Sequence, residues 1–246
     1  MVAQRWCVWC GLVLLVAFGV GFVVAGFLPP PRPTDSAEQV AQMYREHAGR
    51  IRVGMLIVLA AAPFVLPWTT VISLQLLRIE GRLTPWPVVQ FGAGALGIAF
   101  FLAPETAWLV AAYRPSTRSA EALQQLNDLG WLPFVGIASL VMMQNLSIAL
   151  AILADRRARP VFPRWVGYFN LWTVVLLAPG FCDFFFFAGP LAWNGVFAFW
   201  VPAGAFVSWF GVMFVALRRA ISQQESERDP EHSAGELPVS GSARSR

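Results

Sequence analysis

WCVWCGLVLLVAFGVGFVVAGFL, residues 6–28, carries no charged side chain and is long enough to cross a membrane as one helix. At 1.5 Å per residue, it spans roughly 35 Å, and the hydrocarbon core of a bilayer is about 30 Å thick. Only Arg5 precedes it as a basic residue, and residues 24–26 (VAG) make a poor cleavage site. We therefore expect a retained first span and no cleaved signal peptide.

Five further apolar runs of similar length follow along the chain. Apolar residues make up 57% of the sequence and charged residues 13%, which is too little charge to coat a soluble globule of this size. The sequence therefore predicts an all-α polytopic membrane bundle, with a six-helix transmembrane domain at residues 1–220. Residues 221–246 are poor in apolar side chains and predict a disordered cytoplasmic tail. The predicted spans are residues 6–28, 53–77, 88–113, 129–154, 165–188 and 193–217.

The arginines predict the orientation in the membrane. More of them flank the spans on the side of the N-terminus than on the other side, and the cluster at residues 156–164 contributes most. Because basic residues favour the cytoplasmic side, we predict that both termini are cytoplasmic. These short basic loops also explain the net charge of +4, so no nucleic-acid partner is expected.

One short polar motif occurs twice. Ser36-Ala37-Glu38 and Ser119-Ala120-Glu121 each follow a proline and precede an apolar run. Asp35 with Glu38, or Ser36 with Gln39, has the spacing of a capping box that starts a helix. Val40, Tyr44 and His47 then share one helical face. The pattern predicts one or two short interfacial helices on the outer face. The repeat itself has two explanations that remain open, an internal duplication or chance.

Motifs of familiar enzymes are missing or out of context. Residues 92–97 (GAGALG) fit a dinucleotide fingerprint but lie within an apolar span, where small residues favour close helix packing. Cys7 and Cys10 fit C-x-x-C without a second cysteine pair, and are interpreted as apolar filler. All 18 basic residues are arginine, so a lysine Schiff base is excluded. No cofactor and no metal site are expected.

Proline occurs in five of the six predicted spans. A proline inside a helix leaves a carbonyl without its N–H partner and tends to kink the helix. We therefore expect kinks or breaks, which neighbouring helices can accommodate, near Pro63, Pro67, Pro104, Pro133, Pro179 and Pro202.

Polar residues at the outer ends of the spans are the candidate site. In the predicted topology these polar residues gather near one membrane face. A buried charge there needs a partner of opposite charge or a water-filled cavity. One interpretation is structural: Arg50 or Arg52 pairs with Glu105 or Asp183. The other is a polar pocket that binds a small or amphipathic ligand. The candidate ligand-binding residues are His47, Arg50, Arg52, Glu105, Asp128, Asp183 and Asn194.

Three stretches suggest a family. Residues 162–170 (FPRWVGYFN), 127–134 (NDLGWLPF) and 192–195 (AWNG) resemble parts of six-helix integral membrane proteins of actinobacteria. The resemblance covers residues 6–220. It implies a six-helix fold and a bacterial inner membrane, and it implies no activity.

Three functions remain open at this level. The first is a non-enzymatic accessory subunit, or a binder of an apolar or amphipathic small molecule. The second is a small transporter or permease, which the absence of charge at the bilayer centre disfavours. The third is a lipid-modifying membrane enzyme, which the lack of a catalytic motif disfavours. The expected partners are the lipid bilayer and either a small amphipathic ligand or another membrane protein.

Overall fold

The computed structural model describes residues 2–80 and 84–235, and within these ranges it contains helices and no strands. The α-helices are α1 (Val2–Ala25), α2 (Ala37–Ala61), α3 (Val65–Glu80), α4 (Pro85–Tyr113), α5 (Ala120–Gly136), α6 (Ser139–Ala154), α7 (Arg164–Leu177) and α8 (Val201–Gly235). Short 3-10 helices occupy Ala62–Phe64, Pro115–Thr117 and Ala178–Phe184, and a π-helical turn occupies Val196–Trp200.

Six helical segments are long and apolar enough to cross a membrane, which confirms the predicted number of spans. Helices α1 and α4 are single spans. Spans two and four each combine two helices, α2 with α3 and α5 with α6. Span five is α7 with its 3-10 turn, and span six begins with the π turn and continues as α8. Their bounds are Val2–Ala25, Ala37–Ile79, Pro85–Tyr113, Ala120–Ala154, Arg164–Phe184 and Val196–Glu227.

Four of the five proline-containing spans change helix type near a proline. Pro63 lies in the 3-10 turn between α2 and α3, and Pro179 lies in the turn that follows α7. Helix α5 ends three residues after Pro133, and Pro202 follows the π turn that leads into α8. Pro104 is the exception, because it lies inside the continuous helix α4. The predicted breaks are thus confirmed in spans two, four, five and six.

The repeated motif opens two long helices. The Ser36 side chain accepts a hydrogen bond from the Gln39 N–H (3.3 Å), and the Gln39 side chain accepts one from the Ser36 N–H (2.7 Å), which completes a capping box. Ser119 caps α5 in the same way through the Ala122 N–H. No break follows either opening, so the expectation of separate interfacial helices is wrong: the polar turns continue directly into spans two and four. On the face shared by Val40, Tyr44 and His47, the first two residues are buried and His47 is exposed.

The chain after residue 220 differs from the expected disordered tail. Helix α8 continues to Gly235, and Ile221 is fully buried. Glu225 forms an ion pair with Arg5 (2.5 Å), and Glu227 forms one with Arg78 (2.7 Å). These contacts stabilise the extension as a helix, although its sequence is too polar to predict burial. Residues 236–246 of the predicted tail lie outside the described residues.

The bundle has two hydrophobic cores, one near each end. We call the end that holds Val2 and Glu225 the terminal end, and the opposite one the distal end. The terminal core packs around Trp68, with its ring stacked on Phe210 at 5.3 Å. The distal core is aromatic, with the rings of Trp108 and Trp131 4.9 Å apart.

Candidate functional site

The seven candidate residues lie at the distal end, on α2, α4, α5, the turn after α7 and the loop before the π turn. The structure does not bring them together around one pocket. His47, Arg50 and Arg52 are exposed, Asp128 and Asn194 are half-buried, and Glu105 and Asp183 are buried. None of the seven lines either of the two intramembrane cavities described below. A ligand role for them stays a prediction.

The predicted ion pair is not formed, and this expectation is wrong. The Arg50 side chain donates from Nε to the carbonyl oxygen of Val24 (3.3 Å), and Arg52 donates to the carbonyl oxygen of Ala48 (3.2 Å). Within residues 2–80 and 84–235, neither arginine pairs with an acid. Both guanidinium groups lie on the exposed side of α2, where a long side chain can reach water or headgroups.

Two buried carboxyl groups therefore have no partner among the described residues. Glu105 is 1% exposed and Asp183 is 3% exposed, and none of their four oxygen atoms accepts a hydrogen bond. Asp183 fits only because residue 136 is glycine: a Cβ there would lie 2.6 Å from Asp183 Oδ1. An ionised carboxylate in such a place costs several kcal/mol unless a cation compensates it.

Tyr44 and Asn127 form a buried polar contact between the helices that the two repeated segments open. The Tyr44 hydroxyl donates to Asn127 Oδ1 (3.2 Å), and both side chains are buried. This bond joins α2 to α5 close to their first turns. Val40 and Tyr44, which share one face of α2, are both buried, but the partner of Tyr44 depends on how the two helices pack.

An apolar cavity of about 270 Å³ lies between α1 and α8 in the distal half. At the terminal end these two helices are joined by the pair Arg5–Glu225 and by the rings of Trp9 and Phe214, 5.1 Å apart. Toward the distal end, α1 and α8 border the cavity together with side chains of α4, α5, α6 and α7. The lining includes Leu15, Phe18, Gly19, Phe22, Leu28, Phe101, Phe134, Val141, Leu177, Phe199, Pro202, Ala203, Phe206 and Val207.

The cavity reaches the surface of the bundle. Gly19, Leu28 and Val207 are exposed and also line it, and they lie on α1, just beyond α1 and on α8. Its opening is therefore lateral, on the side that faces hydrocarbon in a membrane. The sequence alone does not locate this cavity, because every lining side chain is also typical of a lipid-facing surface. Glycine at position 19 and proline at 202 were the available signals.

A smaller cavity of about 40 Å³, which we call the inner cavity, lies nearer the terminal end. Gln144 lines it and donates from Nε2 to Thr69 Oγ1 (3.3 Å), which also accepts from Gln90 (2.6 Å). Gly94 of the glycine-rich stretch faces this pair, since a Cβ there would lie 2.5 Å from both Gln144 Nε2 and Thr69 Oγ1. Gly94 therefore permits close helix packing, as interpreted from the sequence, whereas an added Cβ at Gly92 meets nothing within 4 Å.

A polar network ties the terminal end together. Gln75 donates to Gln4 (2.7 Å) and Gln224 (3.0 Å), and Arg78 donates to Gln75 (2.6 Å) and Glu227 (2.7 Å). Spans one, two and six are thereby linked. Gln75, an amide inside a predicted span, was the one signal in the sequence, because Gln4 precedes the first predicted span and Gln224 and Glu227 follow the last one.

Asp155 organises the loop between spans four and five. Its side chain is 1% exposed and accepts bonds from Arg157 Nε (3.1 Å), Arg157 Nη2 (3.0 Å) and the backbone N–H groups of Arg157 and Val161. Burial alone would raise the pKa of Asp155, but these bonds outweigh it and lower the pKa below its ordinary value. The loop therefore holds an ionised carboxylate at neutral pH.

Comparison with protein-family models, curated proteins and solved structures finds no match. Across the described ranges, no group of three or more His, Cys, Asp or Glu side chains is placed to hold a metal ion.

Proposed function

We propose that this multi-pass membrane protein binds an apolar or amphipathic small molecule from the bilayer in the cavity between α1 and α8, as a binder or accessory subunit and not as an enzyme. The observation that carries the proposal is the cavity itself: about 270 Å³ of space, lined by apolar side chains and bordered by exposed residues of spans one and six. Apolar cavities of about 150 Å³ already bind small apolar molecules.

The chemistry of the lining supports this ligand class. Phe18, Phe22, Phe134 and Phe199 are among the residues that line the space, and no polar side chain is among them. Dispersion contacts with such walls favour a hydrocarbon over water. Because the opening faces the hydrocarbon region, a ligand can enter from the lipid without crossing an aqueous phase.

A cavity-filling substitution tests the proposal. A Cβ added at Gly19 meets nothing within 4 Å, so Gly19→Leu should fold normally while its side chain occupies the cavity. In bilayers containing a photoreactive long-chain alkyl diazirine, we expect labelling of cavity residues, measured by peptide mass spectrometry, to fall about tenfold in this variant.

Gly211→Leu is the matched control. Gly211 is exposed on α8, also has open space at its Cβ, and does not line the cavity. It adds the same side chain to the lipid-facing surface, so labelling of cavity residues should match that of the unmodified protein. Equal labelling in all three proteins would contradict the proposal, because the probe would then be reacting from the surrounding lipid.

The proposal also covers the membrane in which the protein lies and the orientation of its termini. The arginine asymmetry and the resemblance to actinobacterial six-helix proteins support a bacterial inner (plasma) membrane with both termini in the cytoplasm. A reporter that is active only in the cytoplasm should then be active when fused after Arg246 and inactive when inserted beside Arg118. The reverse pattern would overturn the orientation and leave the cavity unaffected.

A further inference from the structure

The guanidinium group of Arg50 is held at the distal end of α1. Arg50 Nε donates to the carbonyl oxygen of Val24 (3.3 Å), and Nη2 lies 3.6 Å from the position that a Cβ at Gly26 would take. Gly26 has a positive φ (77°), which is typical of the residue that ends a helix. The dipole of α1 also favours a cation at this end, so the arginine has a defined place.

Only the Nε of this guanidinium is occupied. Among the described residues, no hydrogen bond accepts from Arg50 Nη1 or Nη2, and the side chain is exposed. Glu46, the acid one turn earlier on α2, accepts from Gln42 instead (2.8 Å). The two Nη groups of a planar guanidinium form a fork that matches paired oxygen atoms of a carboxylate or a phosphate. Accessible donors on a positioned cation favour an anionic partner.

Arg50 lies close to the opening of the apolar cavity. Leu28, two residues after Gly26, is exposed and lines the cavity. Because consecutive Cα atoms are 3.8 Å apart, the guanidinium is no farther than roughly 12 Å from the backbone of Leu28. A long alkyl chain bridges this distance and still has carbon atoms left to enter the cavity.

The position of Arg50 along the membrane normal fits an amphiphile. Helix α1 has 24 residues and is about 36 Å long, slightly more than the hydrocarbon core of about 30 Å. Its distal end therefore lies at the level of the headgroups, whereas Gly19, about two turns earlier, borders the cavity within the hydrocarbon layer. A charged headgroup can stay at the interface beside Arg50 while its chain occupies the cavity, so no charge enters the apolar space.

We infer that the ligand is an amphiphile with an anionic headgroup, which Arg50 binds at the distal end of α1 while an alkyl chain enters the apolar cavity past Leu28. The inference rests on the proposed function and adds the chemical class of the ligand to it. Free fatty acids and anionic phospholipids both present such a headgroup, and the Nη fork recognises the chemistry that they share.

Competition between matched probes tests the inference. Hexadecanesulfonate, neutral hexadecyl methyl sulfone and hexadecyltrimethylammonium are added to phosphatidylcholine bilayers at equal mole fractions in the lipid. Each competes with the alkyl diazirine for labelling of cavity residues. We expect the sulfonate to compete at a concentration about fivefold lower than the sulfone, because a charge-assisted hydrogen bond is about twice as strong as a neutral one. The ammonium probe should compete least.

Two substitutions locate the headgroup. Arg50→Gln removes the charge and the fork, so sulfonate and sulfone should then compete equally. Arg45→Gln is the matched control, because Arg45 is also an exposed arginine of α2 and donates to the carbonyl oxygens of Pro115 (3.5 Å) and Arg118 (3.4 Å), away from α1. It should preserve the preference. If Arg50→Gln does not fold, Arg50→Lys keeps the charge without the fork and should lower the preference to about twofold.

A change of lipid distinguishes the two sources of the headgroup. If phosphatidylglycerol in the bilayer lowers labelling of cavity residues in the unmodified protein and not in Arg50→Gln, the ligand is an anionic phospholipid. If the single-chain sulfonate lowers labelling and phosphatidylglycerol does not, the ligand is a free single-chain amphiphile. Both results support the anionic headgroup.

The remaining outcomes separate this inference from the proposed function. If sulfonate and sulfone compete equally in the unmodified protein, or the ammonium probe competes best, cavity binding stands and the anionic assignment falls. If the preference survives in Arg50→Gln, or Arg45→Gln removes it as well, Arg50 does not bind the headgroup and the assignment also falls. If no probe competes and Gly19→Leu has no effect, the proposed function itself fails.

Discussion

Gly54→Ala is expected to destabilise the bundle by about 3 kcal/mol or more, although it adds a single methyl group. Gly54 lies where α2 crosses α1. A Cβ at this position would overlap the carbonyl oxygen of Gly21 and lie 2.7 Å from the backbone nitrogen of Ala25. These atoms belong to a helix backbone, so they cannot move aside as a side chain would. The two spans must separate, and the contacts along their crossing weaken.

The measurement is the midpoint of thermal unfolding in detergent, with Gly49→Ala as the matched control. Gly49 lies five residues earlier in α2, is exposed, and has nothing within 4 Å of an added Cβ. There alanine should stabilise the helix by about 0.5–1 kcal/mol, because glycine loses more backbone entropy on folding. Similar shifts for the two variants would show that α1 and α2 do not cross at Gly54.

Asp155→Ala should destabilise the terminal end by about 2–3 kcal/mol. The substitution leaves the buried N–H of Val161 without an acceptor, and an unsatisfied buried group costs about 1–3 kcal/mol. It also removes the ion pair with Arg157, whose side chain is 36% exposed, so this contribution is screened and small. Asp35→Ala is the control: Asp35 is a half-buried loop acid that accepts from the Arg32 N–H, and its loss should cost about 0.5 kcal/mol or less.

The pH dependence gives this prediction a second measurement. The pKa of Asp155 is lower in the folded protein than its ordinary value of about 3.9. A lowered pKa in the folded state means that the unfolded chain binds protons first as the pH falls. The contribution of Asp155 is therefore complete above about pH 4 and is lost as the pH falls through the lower, folded value. The stability difference between the unmodified protein and Asp155→Ala should shrink over that acidic range, and a constant difference would contradict the ion-pair geometry.

Local chemistry determined much of this fold from the sequence alone. The six spans follow from run length and hydropathy, which depend on residues adjacent in the chain. The helix starts at Ser36 and Ser119 follow from capping groups three residues apart, and the breaks near Pro63 and Pro179 from missing N–H donors. Each of these features is decided within about one or two helical turns, so no knowledge of packing is required.

Tertiary structure decided the contacts between distant residues. The acids at 105 and 183 were expected to meet arginines in the same membrane layer, but depth does not fix the direction in which a side chain points around its helix. Arg50 faces outward to the end of α1, while Glu105 faces inward. Likewise, the polar chain after residue 220 continues as a helix, with Ile221 buried and with Arg5 and Arg78 opposite Glu225 and Glu227.

The apolar cavity is likewise a feature that packing decides and local sequence does not. The sequence supplies phenylalanines, glycine and proline on spans one, three, four and six, and every one of them fits a lipid-facing surface equally well. Whether such side chains fill a space or border one depends on the angle between α1 and α8, which contact each other at the terminal end and enclose the cavity beyond it. Hydropathy is a property of single residues, whereas a cavity is the volume that several helices fail to fill together.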